Sequence, residues 1–330
     1  MSRLPITVAT WDYDRVRALM DGRVTIEGCD VNYVTMQVEE ILERAFFHRE
    51  FEVAEIGLSP YLIALSRGTA PYVAVPAFLS RMFRHSAVYI RSDRGIQGPA
   101  NLRGRRIGVP EYQMSAALWV RGFLADECGI AAKDINWVQG GLETPGRRDK
   151  FPLNLPAGFP LASAPAGRTL SSMLAEGELD AIISARRPSC FVAGHRMVRR
   201  LFPDYRTAER DYYRRSGVFP IMHAVGVRPD VLEKHPWVAA SVYKAFVQAK
   251  RLADAEFAET TALKIGLPWV TAEYDATREV MGDDFWSYGV AANRKTLELM
   301  ARYSFEQGLA VRLLPVEEMF APGTLAELAV

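Results

Sequence analysis

The run Ser80-Arg81-Met82-Phe83-Arg84-His85-Ser86-Ala87-Val88-Tyr89-Ile90-Arg91 decides how this chain is read. Its second half, Ala87–Arg91, is rich in β-branched and aromatic residues and stops at the turn-like Ser92-Asp93-Arg94-Gly95, so it reads as a strand. Its first half sets two guanidiniums, an imidazole and a phenyl ring at the approach to that strand. Arginine offers a planar fork to a carboxylate, and histidine exchanges a proton near neutral pH. The stretch is therefore either a solvated basic turn or a site for a flat, anionic, aromatic ligand. The flanking sequence bears on which.

Before it, strands and helices alternate. Pro5–Thr10 reads as a strand leading to Trp11-Asp12-Tyr13-Asp14 and a helix from about Arg15, with Asp14 as its cap. Val24–Glu27 and Val31–Thr35 form a strand region, and Glu39–His48 is helical, with Ile41, Leu42, Ala45 and Phe46 on one face. Phe51–Ile56 is a strand. Ser59 as N-cap and Pro60 at the first helical position open the helix Tyr61–Ser66. Tyr72–Pro76 is the next strand. This is the α/β pattern of a mainly parallel sheet, whose ligands lie beyond the carboxyl ends of strands. Trp11–Asp14, Gly57–Pro60 and Ser80–Ser86 occupy such positions.

After it, Asn101–Gly104 is a turn, Arg106–Val109 a strand, and Glu111–Ser115 leads into a helix through Cys128. Glu111 there is a capping carboxylate or a catalytic one. Asp134–Gln139 is a strand, followed by the charged loop Glu143–Lys150 and the proline-bearing loop 151–167. The helix Ser171–Gly177 and the strand Leu179–Ser184 end at Arg186-Arg187, an anion contact or a solvated pair. Leu201–Arg215 reads as irregular surface. Val218–Arg228 is a strand holding His223, a core histidine or a working one. Helices His235–Phe257, Ala272–Met281 and Arg294–Phe305 complete the chain.

The 330 residues suffice for two domains, and 49% are hydrophobic. A formal net charge of +1 gives no global case for nucleic acid or an acidic membrane as partner. Cys29, Cys128 and Cys190 are far apart and lack CxxC spacing, which argues against a disulfide framework or a zinc site. No metal-ligand spacing is evident. No apolar run reaches the ~18 residues of a membrane helix, and the first apolar run is too short for a signal-peptide core. The expectation is a cytoplasmic protein without metal or organic cofactor. Its amphipathic C-terminal helices could cover a core or form a homo-oligomer interface.

The order of elements, with Ala87–Arg91 and Met222–Arg228 bracketing a central α/β unit, resembles the type II periplasmic-binding-protein fold. Asn101–Val109 is similar to the phrase that opens the second lobe in such proteins, and Leu179–Ile183 to its closing strand. The resemblance implies lobe I from 1–92 and 206–330, lobe II from 93–205, and a ligand in the cleft between them. Tyr13-Asp14-Arg15, Ser80–Ser86, Gly108–Met114, Gly140–Glu143 with Pro145-Gly146-Arg147, Phe219–His223 and His235-Pro236-Trp237 further resemble the 4,5-dihydroxyphthalate decarboxylase family. Where that family carries Asp on the strand after Glu52, this chain has Ala54, leaving Glu55 as the acid.

That resemblance implies cofactor-independent loss of one carboxylate from a dihydroxylated aromatic dicarboxylate. Such a site needs a base, an acid and a clamp on the carboxylate that stays. A clamp on the leaving group would stabilise the ground state. Arg81, Arg84 or Arg147 is therefore expected to hold the retained group, with the leaving group against Phe83, Met222 or Tyr112. His85 and His223 are the expected acid–base pair, and Glu55 or Glu111 the alternative proton donor. Tyr13, Asp14, Ser59, Gln113 and Arg187 complete the expected substrate contacts. The rival readings are a non-catalytic binding protein for an aromatic carboxylate and a different enzyme on this scaffold, such as a dehydratase.

Overall fold

The structure is a computed structural model and describes residues 3–147 and 149–326. Among these residues eleven strands form two sheets: β1 (Leu4–Thr10), β2 (Cys29–Thr35), β3 (Val53–Gly57), β4 (Val73–Arg81), β5 (Val88–Arg91), β6 (Arg106–Val109), β7 (Asn136–Gln139), β8 (Leu161–Ser163), β9 (Ala181–Ile183), β10 (Val198–Arg200) and β11 (Ile221–Val227). The chain divides into two compact α/β units, one of residues 1–81, 221–298 and 314–330, the other of 82–220 and 299–313.

The first unit holds a five-stranded sheet in the order β2-β1-β3-β11-β4. β1 runs parallel to β2 and β3, and β11 lies antiparallel between β3 and β4. Every residue of β3 is buried, as expected of a central strand covered on both faces. The helix Val38–His48 turns Ile41, Leu42, Ala45 and Phe46 inward, as its periodicity requires. The next helix begins at Leu58, not Tyr61, so Ser59 is buried inside it and is not the N-cap; Gly57 holds that position without a side-chain bond. β4 continues to Arg81, which makes Ser80 and Arg81 the end of a strand and not a loop beyond one.

The second unit holds a six-stranded sheet, β10-β5-β9-β6-β7-β8. β6 pairs in parallel with β7 and β9, and β5 is antiparallel to β9 and β10. Because β5 pairs here, the first boundary lies at 81/82 and not at 92/93. The return boundary lies at 220/221 and not at 205/206, because Leu201–Arg215 is not irregular. It contains the helix Tyr205–Ser216, whose N-cap Asp204 accepts the Thr207 N–H at 3.1 Å. The segment 299–313 also joins this unit. Its Gln307 accepts from Arg121 Nε at 2.6 Å and donates to the Leu118 carbonyl at 3.0 Å. Its Tyr303 ring lies where Gly122 lacks a side chain; a Cβ there would stand 2.1 Å from the ring. No helix among the described residues is long and apolar enough to cross a membrane.

Candidate active site

In the first unit the strand register builds a polar cluster. Val225 pairs with Glu55 and His223 with Gly57. Glu55 and His223 are thus diagonal neighbours on one face, a separation that long side chains bridge. His223 Nδ1 lies 2.6 Å from Glu55 Oε1. The Tyr13 hydroxyl donates to the same oxygen at 2.7 Å, and the Trp11 N–H donates to Oε2 at 3.1 Å. Glu55 is fully buried. Burial alone would raise its pKa, but the bonds and charge from His223, with those from Tyr13 and Trp11, bring it below the ordinary carboxylate range. An ionised Glu55 fixes the Nδ1–H tautomer of His223. Nε2 is left without a hydrogen bond among the described residues, on a side chain that keeps 17% of its surface exposed.

The other expected contacts of this unit have protein partners. Tyr13 spends its hydroxyl on Glu55, and burial together with that carboxylate pushes its pKa far up. Asp14 accepts from the N–H and Nη1 of Arg15. Arg81 donates Nη1 to the Ser287 carbonyl at 3.0 Å and to Asn293 Oδ1 at 2.8 Å. Sequence reasoning passed over Arg15. Its guanidinium lies between the rings of Tyr13 and Trp286, 4.1 and 4.3 Å from their centroids, and bonds to the Leu79 carbonyl, so it stiffens the loop that carries Trp11 and Tyr13.

In the second unit Glu111 is no helix cap. It lies buried before the helix Ser115–Cys128, accepting from Arg147 Nε at 2.6 Å and Lys150 Nζ at 2.9 Å. Burial opposes its ionisation, but the two cations hold it below the usual range. Arg147 is thereby engaged. Tyr112 is fully buried under the Arg121 guanidinium, 3.8 Å from its ring centroid. Gln113 holds the backbone of Phe151 through both amide atoms. Phe83 packs on Phe219, Tyr212 and Tyr213. His85 is 3% exposed and stacks on Phe123 at 4.6 Å, with Phe202 and Tyr212 around it. Its Nδ1 has no hydrogen-bond partner among the described residues, and burial, with the charge of Arg215, lowers its pKa to about 4.

Arg84 and Arg187 share a cavity of about 860 Å³, lined also by Arg186, Arg200, Tyr89, Tyr205 and Glu143. Arg84 is buried, which lowers its pKa to about 10 despite the charge of Glu209. Arg200 lies 4.8 Å from the Tyr205 ring centroid and 4.9 Å from that of Phe191, and donates Nε to the Ser86 carbonyl. Sequence reasoning passed over Arg200: no strand was expected at β10, and the stretch after it, Leu201–Arg215, was read as irregular.

The fold is that of type II periplasmic binding proteins. The periplasmic aliphatic sulphonate-binding protein of Escherichia coli superposes with a TM-score of 0.54 at 12% identity, over 98% of this chain and 99% of that one. The alkanesulfonate-binding protein of Xanthomonas axonopodis bound to MOPS gives 0.52 at 15% identity, over 98% of each. No protein-family model matches. In sequence the chain is 46% identical over 325 residues, 98% of either chain, to a 4,5-dihydroxyphthalate decarboxylase of Comamonas testosteroni. It is 49% identical over 214 residues to one of Pseudomonas putida, spanning 65% of this chain and 83% of that one. The chain belongs to the 4,5-dihydroxyphthalate decarboxylase family, which makes it a carboxy-lyase and not a transport-linked binder.

Proposed function

We propose that this chain converts 4,5-dihydroxyphthalate to 3,4-dihydroxybenzoate and CO₂, with His223 as the proton-transfer group and Glu55 as the residue that orients it. The observation that carries the assignment of roles is the 2.6 Å bond between a buried, ionised Glu55 and Nδ1 of a partly exposed imidazole. The substrate itself supplies the electron push. Its hydroxyl para to the leaving carboxylate raises electron density at the ring carbon bearing that group. Nε2–H of the imidazolium protonates this carbon. The carbon–carboxylate bond then breaks, its electron pair restores the aromatic ring, and CO₂ leaves. One proton has replaced one CO₂, and the imidazole regains its proton from solvent. Throughout, Glu55 keeps its negative charge against the imidazolium, the role of the orienting acid in acid–base dyads.

Glu111 is not assigned the proton, because two cations hold it ionised. His85 is not assigned it either, because aromatic rings enclose it and burial keeps it neutral at pH 7. The test is to mix purified protein with 4,5-dihydroxyphthalate and follow CO₂ and 3,4-dihydroxybenzoate. Stoichiometric release of both is expected. Tight binding without turnover would overturn the reading.

A further inference from the structure

We infer that Tyr33 is a positioning residue for the Glu55–His223 pair: its hydroxyl holds Thr10, and Thr10 holds the corner whose Trp11 and Tyr13 donate to Glu55. The inference rests on the acid–base reading of that pair given above. In the parallel pairing of β1 with β2, Tyr33 faces Val8 and Thr35 faces Thr10. Side chains two residues apart on a strand share a face, so the Tyr33 ring reaches along β1 toward Thr10. The two hydroxyl oxygens stand 2.6 Å apart.

The direction of these bonds follows from proton counting. Thr10 is fully buried, and its Oγ1 donates to the Trp11 carbonyl at 3.0 Å. A hydroxyl has one proton to give, so the proton between Thr10 and Tyr33 belongs to Tyr33. Burial, with Glu55, Tyr288 and Asp12 nearby, pushes the Tyr33 pKa far up, so that proton stays in place. The relay therefore runs from the Tyr33 hydroxyl to Thr10 Oγ1 and on to the Trp11 carbonyl, and bonds aligned in this way polarise one another. The Tyr13 N–H donates to the same carbonyl at 2.9 Å. Held there from two sides, the corner presents the Trp11 N–H to Glu55 Oε2 and the Tyr13 hydroxyl to Oε1. Those two donors, with His223, keep the buried carboxylate ionised. Tyr33 itself bonds neither Glu55 nor His223, so it acts on the pair only through the corner.

The test is steady-state kinetics of the full chain on 4,5-dihydroxyphthalate across pH. Tyr33→Phe keeps the ring and removes only the hydroxyl; thermal melts check that the fold is intact. Its kcat should fall about fivefold, as for one neutral hydrogen bond, with KM within about twofold of the parent. The alkaline limb of its kcat profile, where the imidazolium gives up its proton, should move to lower pH. Thr10→Val should behave like Tyr33→Phe, and Thr10→Ser, which keeps the hydroxyl, like the parent. Added to Glu55→Gln, Tyr33→Phe should change kcat by less than about twofold, because its route runs through the carboxylate. An unchanged kcat and profile in Tyr33→Phe, or a rise in KM alone, overturns the inference, as do additive losses in the double variant. Full turnover in His223→Ala sinks the acid–base reading instead. The relay is then judged by hydrogen exchange at the Trp11 amide, which should speed severalfold in Tyr33→Phe; unchanged exchange overturns it.

Discussion

Glu55 and His223 stand two residues out of register on neighbouring antiparallel strands, and their side chains close that diagonal at 2.6 Å. The pair is therefore held by the ladder hydrogen bonds of β3 and β11 and not by a loop. A site on rigid strands keeps its geometry through turnover.

His223→Ala removes the proposed proton donor while leaving the sheet intact. Turnover should fall on the order of a hundredfold or more, with a smaller change in KM. Steady-state kinetics on 4,5-dihydroxyphthalate check it; an affinity loss with unchanged kcat would remove His223 from the chemistry.

Glu55→Gln keeps the shape and loses the charge. Since Glu55 is ionised in the fold, the substitution strips the imidazolium of its counter-charge, and kcat should fall at least tenfold. Tyr13→Phe is milder. It deletes one of the bonds to Glu55, a loss of about 1.5–3 kcal/mol for a bond to a charged group. It should lower the denaturation midpoint and reduce kcat less than Glu55→Gln does.

The burial of His85 carries a pH signature. Its folded pKa of about 4 lies below the unfolded value of about 6.5. Above pH ~6.5 both states are neutral and nothing is lost. As pH falls from there toward 4 the unfolded chain takes up the proton first, so stability declines by roughly 3 kcal/mol at most and then levels. His85→Phe, which keeps a flat ring against Phe123, should flatten urea-derived stability between pH 7 and 5. An unaltered slope would mean that His85 titrates normally.

Glu111 works in a lower window. Its carboxyl is depressed by Lys150 and Arg147, so its contribution is full above the ordinary glutamate value of about 4.3 and is lost as pH falls through the folded value. Glu111→Gln leaves Lys150 with 12% of its side chain exposed and no other ion-pair partner among the described residues. A loss of about 1–3 kcal/mol at pH 7 is expected by denaturant melt, less than for a fully buried pair because Arg147 is 35% exposed.

A chelator should leave turnover unchanged if the chemistry runs as proposed. Activity that disappears with chelator and returns with a divalent ion would require another mechanism.

Much of the fold was legible because periodicity and strand composition are local. β6 was read at its observed bounds, and the strand carrying His223 within a few residues of them. The helix Tyr205–Ser216 escaped because its twelve residues are nearly all polar or aromatic and only Tyr212 is buried, so no apolar stripe marks it. Site chemistry was harder to read. Arg81, Arg84 and Arg147 look alike in sequence, yet one bonds Asn293, one lines a cavity and one bonds Glu111. Partners so distant in sequence are set by tertiary pairing alone. His85 was expected to share the acid–base work with His223; the rings that enclose it come from residues 123, 202 and 212, far along the chain.

The segment 299–313 makes the second unit a composite of two stretches of chain. Its Gln307 engages Arg121, a fully buried guanidinium, and its Tyr303 hydroxyl bonds Asp126 at 2.6 Å. A fragment cut at residues 82–220 would expose the Gly122 face of a central helix and leave that guanidinium short of an acceptor. The unit is thus not a cassette that can be excised or transplanted as one contiguous piece, because 299–313 completes its packing.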